Sequence, residues 1–170
     1  MRTKRETLSL DLPKPAQKVG MGNEVRILGI DPGLRHTGWG MILSDGPRLT
    51  HIAHGVIKPD PNLPLAERLA VIFRAVSELI IEHRPDLSGV EETLVNAGPQ
   101  SALKLGQARG TAIVCAANHG IPVHEYAARQ IKQAVTGTGG AEKAQVQHMV
   151  TALLTLDASP PEDAADALAI

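Results

Sequence analysis

Apolar and polar positions along this chain follow two different periods, and the change from one to the other outlines the fold. Val25 to Asp31 reads VRILGID, a short β-branched run cut off by Pro32-Gly33, which predicts a buried strand entering a turn. The extended runs Thr37 to Ser44 and Leu49 to Ile57, parted by Asp45-Gly46-Pro47, complete an antiparallel meander. The period then lengthens. Pro64 stands where a first helical residue belongs, Leu65, Leu69, Ile72, Val76 and Leu79 recur at helical steps, and Pro85 stops the pattern, so 64–83 predict an amphipathic helix. Leu87 to Glu91 reads as a strand, 99–119 as a helix closed by Gly120, and Ile121 to Glu125 as a further strand. Helices over 127–135 and 141–154 flank the loop Thr136 to Gly140. Ser159-Pro160-Pro161 opens a last helix, with Ser159 as its expected N-cap.

Three strands, helix, strand, helix, strand and then helices describe an α/β domain: a mixed five-stranded sheet flanked by helices, spanning residues 24–170. Residues 1–23 are polar, carry Pro13 and Pro15 and show neither period, and are expected to be a disordered extension.

Composition narrows the function. Aromatic residues are 2% of the chain, only Trp39, Phe73 and Tyr126, which excludes a nucleic-acid reader built on rows of stacking rings. A net charge of −1 excludes a uniformly basic coat, but the average hides opposed segments: +3 over 1–30, −3 over 31–95, +3 over 96–149 and −4 over 150–170. The single cysteine, Cys115, cannot form an intramolecular disulfide and lies in a small apolar stretch that reads as helix interior. With no membrane-length apolar run and no signal-peptide core in MRTKRETLSLDLPKPAQKVG, a reducing, cytoplasmic setting without a membrane is expected.

The acidic residues carry the chemistry. Asp31 ends the first strand and Glu91 the fourth, while Asp163 and Asp166 lie three apart on the last helix, on one face. Ligands of open α/β sheets collect beyond the carboxyl ends of strands, so the four carboxylates are expected to meet there. Such a cluster calls for hard divalent cations, Mg²⁺ or Mn²⁺, and two ions held by carboxylates serve phosphodiester cleavage. Singly, an acid at a strand end is more often a turn former or a helix cap, and Asp163 and Asp166 near a helix start favour its dipole without any metal. Glu92 points to the opposite strand face and serves as the contrasting case.

In order along the chain, ILGIDPGLRHTGWG, VEE, SALKLGQARG, EYAARQIKQAVTGTGGAEKAQVQHMV and DAADALAI resemble the RuvC family of bacterial Holliday-junction resolvases, from Val25 to Ile170. LGIDPG alone also resembles the acid-and-glycine turn of sugar kinases and actin-like ATPases, but one domain of this length leaves no room for their second lobe. The resemblance implies a ribonuclease H-like fold, a homodimer, paired Mg²⁺-dependent nicking of four-way junction DNA with two ions per site, and cooperation with a branch-migration motor of RuvA and RuvB type. It assigns Asp31, Glu91, Asp163 and Asp166 to catalysis and metal binding. Lys132 and Lys143 match its basic positions near the scissile phosphate, and Arg109 is expected with them at the DNA. The stripe Ala102, Gly106 and Gly110 permits close helix contact, and the resemblance makes its helix the dimer interface. Leu94 stands where the family often has an aromatic wedge, and is expected to contact DNA near the junction centre. The changed loop and the short end of the chain leave a second reading, a junction-binding protein with weak or no cleavage, and an expectation that the last helix frays.

Overall fold

In the computed structural model, which describes residues 24–92 and 98–170, the meander forms as expected: β1 (Glu24–Asp31), β2 (Thr37–Asp45) and β3 (Arg48–Ile57) pair antiparallel. The extension 1–23 and Leu94 lie outside the described residues. Parallel neighbours require long crossovers. These are α1 (Leu65–His83), leading to β4 (Leu87–Glu92), and α2 (Pro99–Asn118), leading to β5 (Val123–Ala127). The sheet order is β3-β2-β1-β4-β5, a mixed five-stranded sheet. α3 (Ala128–Thr136), α4 (Lys143–Leu153) and α5 (Glu162–Ala169) complete the chain.

Local chemistry sets the boundaries. α1 ends at Arg84, whose left-handed backbone (φ 50°) still lets its N–H bond the Ile80 carbonyl at 2.9 Å, because Pro85 disfavours another helical residue before it. β5 starts two residues later than the sequence pattern suggests. Pro122 has no N–H for the ladder and contributes only its carbonyl, which accepts from the Ser88 N–H at 2.9 Å. α4 starts at Lys143 rather than 141, where the Gln145 side chain accepts the Glu142 N–H at 2.8 Å.

Two expectations about the last helix fail. Ser159 is exposed and caps nothing; Pro161 is the N-cap, and its carbonyl accepts the Ala165 N–H at 2.8 Å. The two prolines fix the entry conformation instead, and the Pro160 carbonyl is tied to α4 by Gln147 Nε2 at 2.7 Å. Nor does α5 fray: Ala164, Ala165, Ala167 and Leu168 are all buried.

The two faces of the sheet are packed differently. Leu28, Ile30, Met41 and Val90 point to one side and meet Ile72, Val76 and Ile80 of α1 and Ala108, Ala112, Cys115 and Ala116 of α2. Cys115 is structural, as expected: its thiol donates to the Phe73 carbonyl at 3.3 Å, and burial pushes it up to about 11. On the other side the register aligns Gly40, Gly29 and Gly89 in one row across three strands, with Gly38 beside Asp31 in the next. A methyl group at Gly29 would run into the Ala167 carbonyl oxygen, and one at Gly38 into that of Asp163. α5 therefore lies backbone against backbone on a floor of glycine, closer than any side chain allows.

Candidate active site

That floor positions the acids. Alternation puts Asp31 on the same face as Gly29, and Glu91 on the same face as Gly89, each two residues on. Because Ile30 pairs with Val90 in the parallel ladder, the two carboxylates stand side by side at the carboxyl ends of adjacent strands. α5 brings the other pair: the Asp163 backbone rests on Gly38, the register partner of Asp31, and Asp166 follows three residues on.

Asp31 senses the other three acids. Burial, followed by the charges of Glu91, Asp166 and Asp163 and partly countered by Lys143, pushes the Asp31 carboxyl up to about 7. Burial and then Asp166 raise Glu91, against the pull of Lys132 and Lys143. Asp166 is raised by burial foremost, against Lys143. Each is an acid held partly against its ionised form, the condition a divalent cation relieves. In kind, four carboxylates are the donor set of Mg²⁺ or Mn²⁺. Among the described residues, however, no three His, Cys, Asp or Glu side chains converge into a ready-made cage. The Lys143 ammonium lies among them instead, 3.4 Å from Asp166 Oδ2 and 2.5 Å from Glu162 Oε1. The residues fit such ions by the chemistry of their donor set.

The basic residues separate into two groups. Lys132 and Lys143 face the cluster, close enough to lower Glu91. Arg109 is committed to protein groups: its Nε donates to the Glu91 carbonyl at 3.1 Å and its guanidinium pairs with Glu125, bracing α2 against β4 and β5. Glu92 is exposed, on the strand face away from the cluster. His148 lines a separate hollow with Thr136, Thr138 and Met149. The loop after α3 is bonded internally, Thr136 Oγ1 donating to Lys132 and the Gln133 amide to the Gly137 carbonyl at 2.6 Å.

One member of the site was missed in the sequence. His36, in the turn after β1, places Nδ1 3.4 Å from Asp163 Oδ2. Its place five residues beyond Asp31, at the carboxyl end of a strand, was the available signal.

The family model for RuvC, crossover junction endodeoxyribonuclease, matches residues 27–170. A crossover junction endodeoxyribonuclease RuvC of Hyphomonas neptunium is 60% identical over 149 residues, covering 88% of this chain and 89% of the relative. Among solved structures, Thermus thermophilus RuvC in complex with a Holliday junction substrate aligns with a TM-score of 0.81 at 37% identity, over 86% of this chain and 90% of that one. A second Thermus thermophilus RuvC structure aligns with a TM-score of 0.77 at the same 37% identity, over 85% of this chain and 90% of that one.

Proposed function

As the chain belongs to the RuvC family of crossover junction endodeoxyribonucleases, we propose that Asp31, Glu91, Asp163 and Asp166 are the groups with which it resolves Holliday junctions. The fold is ribonuclease H-like and the enzyme is a metal-dependent nuclease. The observation that supports the site assignment is the convergence of Asp31 and Glu91 at the ends of adjacent strands with the Asp163 and Asp166 face of α5, where burial and then the charges of the other three acids raise Asp31. Mg²⁺, two ions per site, is the proposed cofactor, with Mn²⁺ as a substitute. Bound there, the ions supply Lewis-acid stabilisation of charge on the attacking and leaving oxygens. The chain does the rest. Asp31 and Glu91 hold fixed positions because both sit on the rigid sheet, Asp163 and Asp166 close the opposite side, and Lys132 and Lys143 draw in the phosphate backbone by charge.

A homodimer through α2 is supported by the face that helix leaves uncovered. Leu103 and Val114 are 65% and 60% exposed, and open space lies over Gly106 and Gly110. The stripe read from the sequence is thus distinct from the buried face of Ala108, Ala112, Cys115 and Ala116. Two-fold symmetry would place two sites on two strands of a junction. Family membership supports action on DNA in the cytoplasm beside a RuvA and RuvB type motor. Among the described residues no helix is long and apolar enough to cross a membrane.

The direct test incubates a synthetic four-way junction with the full chain and Mg²⁺ or Mn²⁺ and maps the cuts. Symmetric nicks in two opposed strands are expected; tight binding without nicks would favour the junction-binding reading. A second measurement probes the cation independently of cleavage. Asp31 titrates near 7 when folded, against about 3.9 in an unfolded chain, so between those values the folded protein holds a proton that the unfolded chain has released. Stability of the cation-free protein from this group therefore falls as pH rises from about 4 to about 7, by at most about 4 kcal/mol, and is level above. Addition of Mg²⁺ is expected to raise Tm more at about pH 8 than at about pH 5, and Asp31→Asn to remove most of that difference. Equal gains at both pH values in the unsubstituted protein would overturn the assignment.

A further inference from the structure

The turn after β1, the start of α1 and the start of α2 enclose a groove of about 540 Å³ lined by Arg35, His36, Arg68 and Lys104, with Asp163 on its wall. Past Arg35 and His36 it continues into a hollow of about 460 Å³ that adds Lys58. This ground lies at the Asp163 end of the acidic cluster, whereas Lys132 lies at the Glu91 end.

Its cations, unlike Arg109 and Lys143, are not tied to carboxylates among the described residues. Among the described residues Arg35, Lys58 and Lys104 form no ion pair, while Arg109 pairs with Glu125, and Lys143 with Glu162 and Asp166. The one acid lining the second hollow, Asp60, is turned on to Asn62, accepting its backbone N–H at 2.9 Å and its side-chain amide at 3.0 Å. Arg68 supplies an independent sign of a missing acceptor. Its Nη2 donates to the Leu34 carbonyl at 2.7 Å, yet Nε is fully buried and has no hydrogen-bond partner among the described residues. A buried guanidinium N–H without an acceptor is costly, and a small turn of the Arg68 side chain toward the groove it lines would let an anion there satisfy it. The planar guanidinium suits a phosphate oxygen pair in particular.

We propose that Lys104, Arg68, Arg35, His36 and Lys58 form a track for the phosphodiester backbone of the DNA strand on the Asp163 side of the scissile bond. The inference rests on the reading of the carboxylates as the nuclease site and extends it: the cut strand is held on both sides, by Lys132 at the Glu91 end and by this track at the Asp163 end. His36 touches Asp163 and lines both hollows, so it joins the track to the acids. Contacts of this kind set register and carry no base information.

The test combines Arg35→Gln, Lys58→Gln and Lys104→Gln in the full chain, three exposed or part-exposed substitutions that leave the Arg68 bond to Leu34 in place. Junction binding without divalent cation is measured against salt, and nicking kinetics with Mg²⁺. Each lost phosphate contact flattens the log–log salt slope by about one, so the triple variant is expected to lose about two to three from the slope. KM for the junction should rise about tenfold or more with kcat within about twofold, the pattern of lost uniform binding. Arg74→Gln, exposed on α1 and lining neither hollow, should leave slope and KM unchanged. A triple variant with the slope and KM of the unsubstituted protein would overturn the track. Failure of the unsubstituted chain to nick would instead count against the nuclease reading, and the salt slope alone would then decide whether the groove holds phosphate.

Discussion

Asp31→Asn is expected to cut the rate of Mg²⁺-dependent junction nicking by about 10³-fold or more while leaving junction affinity within a few-fold. The asparagine keeps the size of the side chain but removes a charge at the centre of the cluster, the one position that senses all three other acids. Lewis-acid stabilisation lost at that point is worth several kcal/mol, and each 1.36 kcal/mol is about tenfold in rate. Affinity should persist because phosphates are held by cations, and removal of a buried negative charge lessens repulsion of the backbone. The same change should raise the Tm of the cation-free protein above about pH 7, since Asp31 no longer has to ionise in a buried, acidic setting. Nicking within about tenfold of the unsubstituted rate would remove Asp31 from the centre of the mechanism. A loss of activity accompanied by a lower Tm would point to misfolding instead.

Gly38→Ala should be nearly as damaging, although the residue bears no chemistry. An added Cβ meets the backbone carbonyl of Asp163, which unlike a side-chain tip cannot rotate away. α5 must move off the sheet by an ångström or more, taking Asp163 and Asp166 away from Asp31 and Glu91. Overpacking of this kind costs about 1–3 kcal/mol, and misplacement by about 1 Å costs about 10²-fold in rate. Gly140→Ala, where no atom lies within 4 Å of the added methyl, is the matched control and should change Tm little. Tm and kcat measured on both variants decide the matter. A Gly38→Ala protein with undiminished kcat would mean that the acids of α5 need not stand where the glycine floor holds them.

Much of the molecule was legible beforehand because the periods are clean. The β-branched run to Asp31 and the helical recurrence from Leu65 to Leu79 mark a strand and a helix whose ends shift by only a residue or two in the structure, and alternation alone puts Glu92 on the face opposite Glu91. Where boundaries shifted, local bonding that periodicity does not report was responsible, as with the absent N–H of Pro122 and the glutamine that closes the start of α4. The N-cap assigned to Ser159 failed because two prolines already dictated the backbone there, leaving the serine no role.

Residue type and order thus determined by themselves the mixed five-stranded sheet, the separation of acidic from basic segments, and the family resemblance with its four carboxylates. Only the tertiary structure decided how those carboxylates meet. Glycines in strands are weak signals singly, and their alignment into a row exists only once three strands take their register. The commitment of Arg109 to Glu125, the contact of His36 with Asp163 and the bond of Arg68 to the Leu34 carbonyl likewise join residues far apart in the chain. Periodicity reports which face a residue occupies; what stands opposite that face is set by long-range packing, and on that packing the charge, the reach and the chemistry of the site depend.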